Sequence, residues 1–134
     1  MYLLKTRHDP PEILTGGPKL DIHVVFTKIP GTQAPLTAAT DLARHLGGRV
    51  AILVAQVVPY PLPLDRPPIP VEFTEQALAS LGRDPEVETA VRIYLCRDQQ
   101  ETIRQVLKPE SVVIVGARGL AKTLKRDGHH VILV

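Results

Sequence analysis

At 134 residues the chain is sized for one domain. Its formal charge of +2 is too small to single out nucleic acid as a partner, and its one cysteine, Cys96, excludes an internal disulfide or a multi-cysteine metal site. Aromatic residues make up 4% with no Trp, so the core must be Val, Leu, Ile and Ala, the composition of buried strands in an α/β layered domain.

No apolar run approaches the roughly 20 residues of a membrane span, and charges begin at Lys5, too early for a signal-peptide core. The expectation is a soluble, cytoplasmic chain. Residues 1–20 are expected to form a loose N-terminal arm, because "DPPE" and "TGGPK" break any helix or strand. From Asp21 the pattern is regular. "IHVVFT", Ile22 to Thr27, reads as a buried strand, and "IPGT" as a turn. Thr32 is placed to cap a helix carrying Leu36, Ala39, Ala43 and Leu46, with Pro35 in its first turn and Gly47-Gly48 at its end. "RVAILVAQV", Arg49 to Val57, is a second buried strand. Pro59 to Pro70 has proline at half its positions and predicts an extended, stiff connection; its competing reading is a ligand for a proline-recognition module.

Phe73, Ala77, Leu78 and Leu81 predict a second helix closed by Gly82. Glu86 to Cys96 is a third strand. Asp98 and Glu101 have the spacing of a capping box before a helix with Ile103, Val106 and Leu107, which Pro109 ends. "SVVIV", Ser111 to Val115, is a fourth strand, Leu120 to Asp127 a short helix, and "HVILV", His130 to Val134, a fifth strand. Strict alternation of strand and helix predicts parallel strands and right-handed crossovers. The expected fold is a doubly wound, three-layer α/β/α sandwich with a five-stranded parallel sheet over residues 21–134. Ligands of such sheets bind beyond the carboxyl ends of the strands, here Thr27-Lys28, Val57 to Tyr60, Cys96 to Asp98 and Gly116 to Gly119.

"DLARHLGGRVAILVAQVV" (Asp41 to Val58), the proline-bearing connection and "SVVIVGARG" (Ser111 to Gly119) together resemble the universal stress protein family, over roughly Asp21 to Val134. The resemblance implies a five-strand parallel fold, often dimeric through its last strand, and in many members ATP binding. The Asp that such members carry at the end of strand one falls on Thr27, which is neutral. Of their G-x2-G-x9-G-[ST] pattern, Gly116 and Gly119 fit the first part, but the second pair falls on His129-His130, with Gly128 one place short. The phosphate half of the pattern is missing. Gly116, Arg118 and Gly119 still form a glycine turn at a helix start, able to hold a small anion or only to turn a corner.

Arg118, Lys122, Lys125 and Arg126 share one helical face, and Leu120 and Leu124 another. The basic stripe suits an acidic partner or plain solvation, with Glu101 and Glu110 placed to neutralise it. No aromatic interleaves with it, so no nucleic-acid partner is expected. His129 and His130 are neighbours on a strand and point to opposite faces, so no metal site is expected there. Cys96 reads as a small core residue rather than a nucleophile. Asp98 reads as a helix cap rather than a catalytic acid. Tyr60 and Tyr94 are candidates to line a cleft.

The expectation is a small non-enzymatic, homodimeric stress-response or regulatory module with weak or no ATP binding and no cofactor. Its dimer interface would centre on Val131, Ile132 and Leu133, since no Lys or Pro blunts that segment after His130. A nucleotide or anion binder using the Gly116–Gly119 turn and a phosphate-ester enzyme on the same scaffold stay open as alternatives.

Overall fold

The computed structural model describes residues 2–9, 20–26, 29–79, 81 and 86–134. In chain order the elements are β1 (Tyr2–Asp9), β2 (Asp21–Phe26), α1 (Ile29–Leu46), β3 (Arg49–Val57), α2 (Val71–Ala79), β4 (Thr89–Cys96), α3 (Gln99–Val106), β5 (Val112–Val115), α4 (Arg118–Arg126) and β6 (His130–Leu133). The sheet runs β1-β4-β3-β2-β5-β6. The last five of these strands are mutually parallel, and β1 joins β4 antiparallel.

The five-stranded parallel sheet and its helices are the expected doubly wound fold. The sixth strand is a correction: Tyr2–Asp9 is not a loose arm but an edge strand, with a register irregularity between Leu3 and Lys5. Without it the apolar β4 would offer an open edge, and an edge strand can carry charges such as Lys5 and Arg7 that an inner strand cannot. Residues 10–19 lie outside the described residues.

Strand alternation sorts the core into two layers. Ile22, Val24, Val50, Ile52, Val54 and Ile93 face α1 and α2, meeting Leu36, Ala39, Ala43 and Leu78. Val25, Leu53, Ala55, Cys96, Val113 and Val115 face α3 and α4, meeting Ile103, Ala121 and Leu124. Both faces of the sheet are covered, which is why β3 reads as an unbroken apolar run.

Several element boundaries move. α1 begins at Ile29, so Thr32 is not its cap but a buried residue inside it. Pro30 occupies the second helical position, where a missing N–H leaves no helical bond unmade. α2 buries Val71, Thr74 and Leu78, while Phe73 is 63% exposed. Thr74 takes the inner face because its hydroxyl donates to the Gln56 side-chain oxygen at 2.7 Å. The expected closing residue, Gly82, lies outside the described residues. β4 starts at Thr89, β5 at Val112, and α4 two residues early at Arg118.

The proline-rich connection is built of turns rather than extended chain. Leu62 N–H donates to Pro59 O at 3.0 Å, and Arg66 N–H to Pro63 O at 3.1 Å. The Tyr60-Pro61 bond is cis. The Gln56 amide holds the segment by donating to Ile69 O at 2.7 Å, and Arg97 holds its start by donating to Val58 O at 2.8 Å. No helix among the described residues is long and apolar enough to cross a membrane.

Candidate functional site

The strand order reverses between β2 and β5. The helix after β2 covers one face and the helix after β5 the other. Their starts therefore diverge above the carboxyl ends of these two strands, the place where such sheets hold ligands. Gly116, Arg118 and Gly119 lie there; Thr27, the other residue expected there, is outside the described residues.

Neither glycine is held at positive φ: Gly47 and Gly128 are, and Gly116 and Gly119 are not. Gly119 is the second residue of α4, and a Cβ added to it would meet nothing within 4 Å. The N-cap, Ala117, is extended and offers no side-chain acceptor. The first-turn N–H groups of α4 are thus left uncapped, with Arg118 beside them, an arrangement that favours negative charge.

A cleft of about 300 Å³ adjoins this turn, lined by Val25, Gln99, Gln100, Ile103, Ala117, Gly119 and Leu120. Its two amides are already engaged. Gln99 donates to Ala55 O at 3.1 Å, and Gln100 to the Thr123 hydroxyl at 2.8 Å, tying α3 to α4. Asp98 caps α3 as the sequence predicts, accepting from Glu101 N–H at 2.9 Å. The volume is at the small end of the range for ligand pockets.

Gly128 is far from this turn. It has φ 93° and closes α4: its N–H donates to Lys125 O at 3.0 Å, and His129 N–H donates to Leu124 O at 3.1 Å, the double bond of a glycine-terminated helix. It lies just past the far end of α4, a nine-residue helix about 13 Å long that has Gly119 in its first turn. Gly128, His129 and His130 therefore belong to the amino end of β6 and cannot wrap phosphates held at the carboxyl end of β5.

A second groove, of about 490 Å³, runs between α4 and β6. Ala121, Val131 and Leu133 form its apolar lining, and Arg118, Lys122 and Lys125 its basic rim. Glu101 does not neutralise this rim. Its carboxylate accepts from the Gln105 amide at 3.2 Å and lies 3.9 Å from Arg104. Sequence spacing placed the stripe but gave no sign that it borders an apolar strand.

Arg104 donates to both carboxylate oxygens of Asp127, at 2.7 and 3.0 Å, which holds the Asp127 carboxyl below its ordinary range. His129 is buried, and its Nδ1 accepts from Ser111 N–H at 3.3 Å, while His130 is exposed. Burial lowers the pKa of His23, whose Nδ1 donates to Val112 O at 3.2 Å. Cys96 is buried, its thiol 3.7 Å from Gln56 O. Tyr60 lies exposed with the Arg97 guanidinium 4.1 Å from its ring centre, and half-buried Tyr94 packs on the α3 side. Among the described residues no three His, Cys, Asp or Glu side chains are grouped to hold a metal. Comparison with family models, curated proteins and solved structures finds no match for this chain.

Proposed function

We propose that the chain is a small, non-enzymatic regulatory module of the universal stress type, working in the cytoplasm by strand pairing through β6. One observation carries this reading. β6 ends the sheet beside β5, and Ile132, Leu133 and Val134 on and after it are 43%, 46% and 48% exposed. An apolar edge strand of this kind is a template for another strand. A second copy of the chain, paired antiparallel about a two-fold axis with Val131, Ile132 and Leu133 at its centre, is the symmetric occupant of that edge. A strand of another protein is the asymmetric one. Light scattering on the parent chain and on Ile132→Lys tests the symmetric form: a mass of twice 14.7 kDa that the substitution halves supports it, and a monomer at high micromolar concentration refutes it.

Nucleotide has at most a weak part in this reading, because Gly128 closes α4 and, of the two glycine positions in the resemblance's pattern, only the Gly116–Gly119 turn lies at the carboxyl end of β5. The uncapped start of α4 favours the alternative of a small bound anion at Gly116, Arg118 and Gly119. Thermal unfolding with and without millimolar Mg-ATP separates the two. A ligand at 100 times its dissociation constant stabilises by about 2.7 kcal/mol. A midpoint rise of several degrees with Mg-ATP, absent with sulfate, would establish nucleotide binding. Phosphate-ester turnover would establish the enzyme reading instead.

A further inference from the structure

The outer edge of β6 has two distinct sides. His130 and Val134 N–H groups donate inward to Ser111 O and Val115 O, at 2.9 and 3.0 Å. Successive residues of a strand alternate in direction, so the N–H and C=O groups of Val131 and Leu133 face outward. On the α4 side of the sheet Val131 and Leu133 line the groove; Ile132 is presented on the other side. The edge therefore offers a short ladder of hydrogen bonds, with a different surface above and below it.

The surface on the α4 side is cationic. Arg118, Lys122 and Lys125 follow one helical face at spacings of four and three, and all three are exposed along the groove rim. Among the described residues none of them makes an ion pair or a side-chain hydrogen bond, in contrast to Arg44, Arg49 and Arg104, which are ion-paired. A two-fold axis normal to the sheet would bring a second copy's α4 to the same side of the seam. Six like charges would then line one interface. Like charges set opposite one another are destabilising, whereas each carboxylate on an incoming strand adds attraction to the basic rim.

Resting on the strand-pairing reading, we propose that the occupant of the β6 edge is an extended acidic segment of another protein, rather than a second copy of this chain. The incoming strand pairs its backbone with Val131 and Leu133. Its residues on the α4 side are Asp or Glu, whose carboxylates meet Arg118, Lys122 and Lys125 while their methylene stems cross Val131 and Leu133. Its residues on the other side are apolar and lie beside Ile132. Backbone pairing supplies the affinity, and the alternation of acidic and apolar residues supplies the selection.

The test uses the full chain and two fluorescein-labelled peptides of about eight residues, one alternating Glu and Val, the other Lys and Val. The acidic peptide is expected to bind at least about tenfold more tightly by fluorescence anisotropy, with affinity falling between about 50 and about 500 mM salt. Binding should slow amide exchange at Val131 and Leu133. The double substitution Lys122→Glu, Lys125→Glu, at two exposed sites, should cost about tenfold for the acidic peptide and favour the basic one. Equal affinity for both peptides on the parent chain overturns the acidic occupant, whether or not the double variant folds. A β6 dimer that the acidic peptide does not displace also overturns it, yet leaves strand pairing standing. A monomer that binds neither peptide and shows unchanged exchange at Val131 and Leu133 overturns both.

Discussion

His23 and Asp127 tie the stability of the fold to pH from opposite ends of the charge scale. Burial lowers the folded pKa of His23, so the unfolded chain takes up a proton near pH 6.5 while the folded chain still refuses it. Stability therefore falls as pH drops below about 6.5, by at most about 1.4 kcal/mol per pH unit from this group. Urea unfolding of the parent and of His23→Asn at mildly acidic and neutral pH should show the dependence weakened in the variant. Asp127 acts at lower pH. Its carboxylate is held ionised by Arg104, so its contribution is present above the ordinary carboxylate range and lost as pH falls through its depressed value. Asp127→Asn should flatten that acid limb. Gly128 carries a backbone constraint of another kind. With φ at 93° and open space around it, Gly128→Ala is strained by its backbone alone, and costs about 1 kcal/mol, read as a lower midpoint in thermal melts.

Elements with a strong period were legible, and elements defined by their neighbours were not. The apolar strands and the α3 cap follow from local chemistry, and Asp98→Ala should cost about 1 kcal/mol. Leu124, fully buried beneath α4, is the anchor of that helix on the sheet, and Leu124→Ala should cost roughly 2–5 kcal/mol in denaturant unfolding. β1 is not legible in the sequence because Lys5, Arg7 and Asp9 interrupt its apolar residues, and only the distant β4 edge makes a strand of it. Phe73 belongs to the apolar spacing that predicts α2, but Thr74, bonded to Gln56, holds the inner face and Phe73 is exposed. The proline-rich segment looked extended because composition does not show the Gln56 and Arg97 bonds that fold it back. Of the candidate site, sequence spacing located the α4 turn and the basic stripe. It did not show that the first lacks a cap or that the second borders an open strand, since both depend on packing.

At the scale of the whole molecule the two sheet edges are unequal. β6 is apolar and regular, while β1 carries Lys5 and Arg7 and breaks register between Leu3 and Lys5. Charge and irregularity are the common ways of making an edge a poor template. In the language of polymerisation, strand pairing of the kind proposed gives the monomer a valence of one: a strand that fills β6 would cap growth, and association would end at a pair. Deleting residues 2–9 would raise that valence to two by baring β4, whose Ile93 and Leu95 sit in an apolar strand. The truncated chain should then scatter light with a mass that climbs with concentration and time, where the parent reaches a plateau. Eight residues outside the parallel core would in that case decide whether the protein stays a finite species or becomes a fibre.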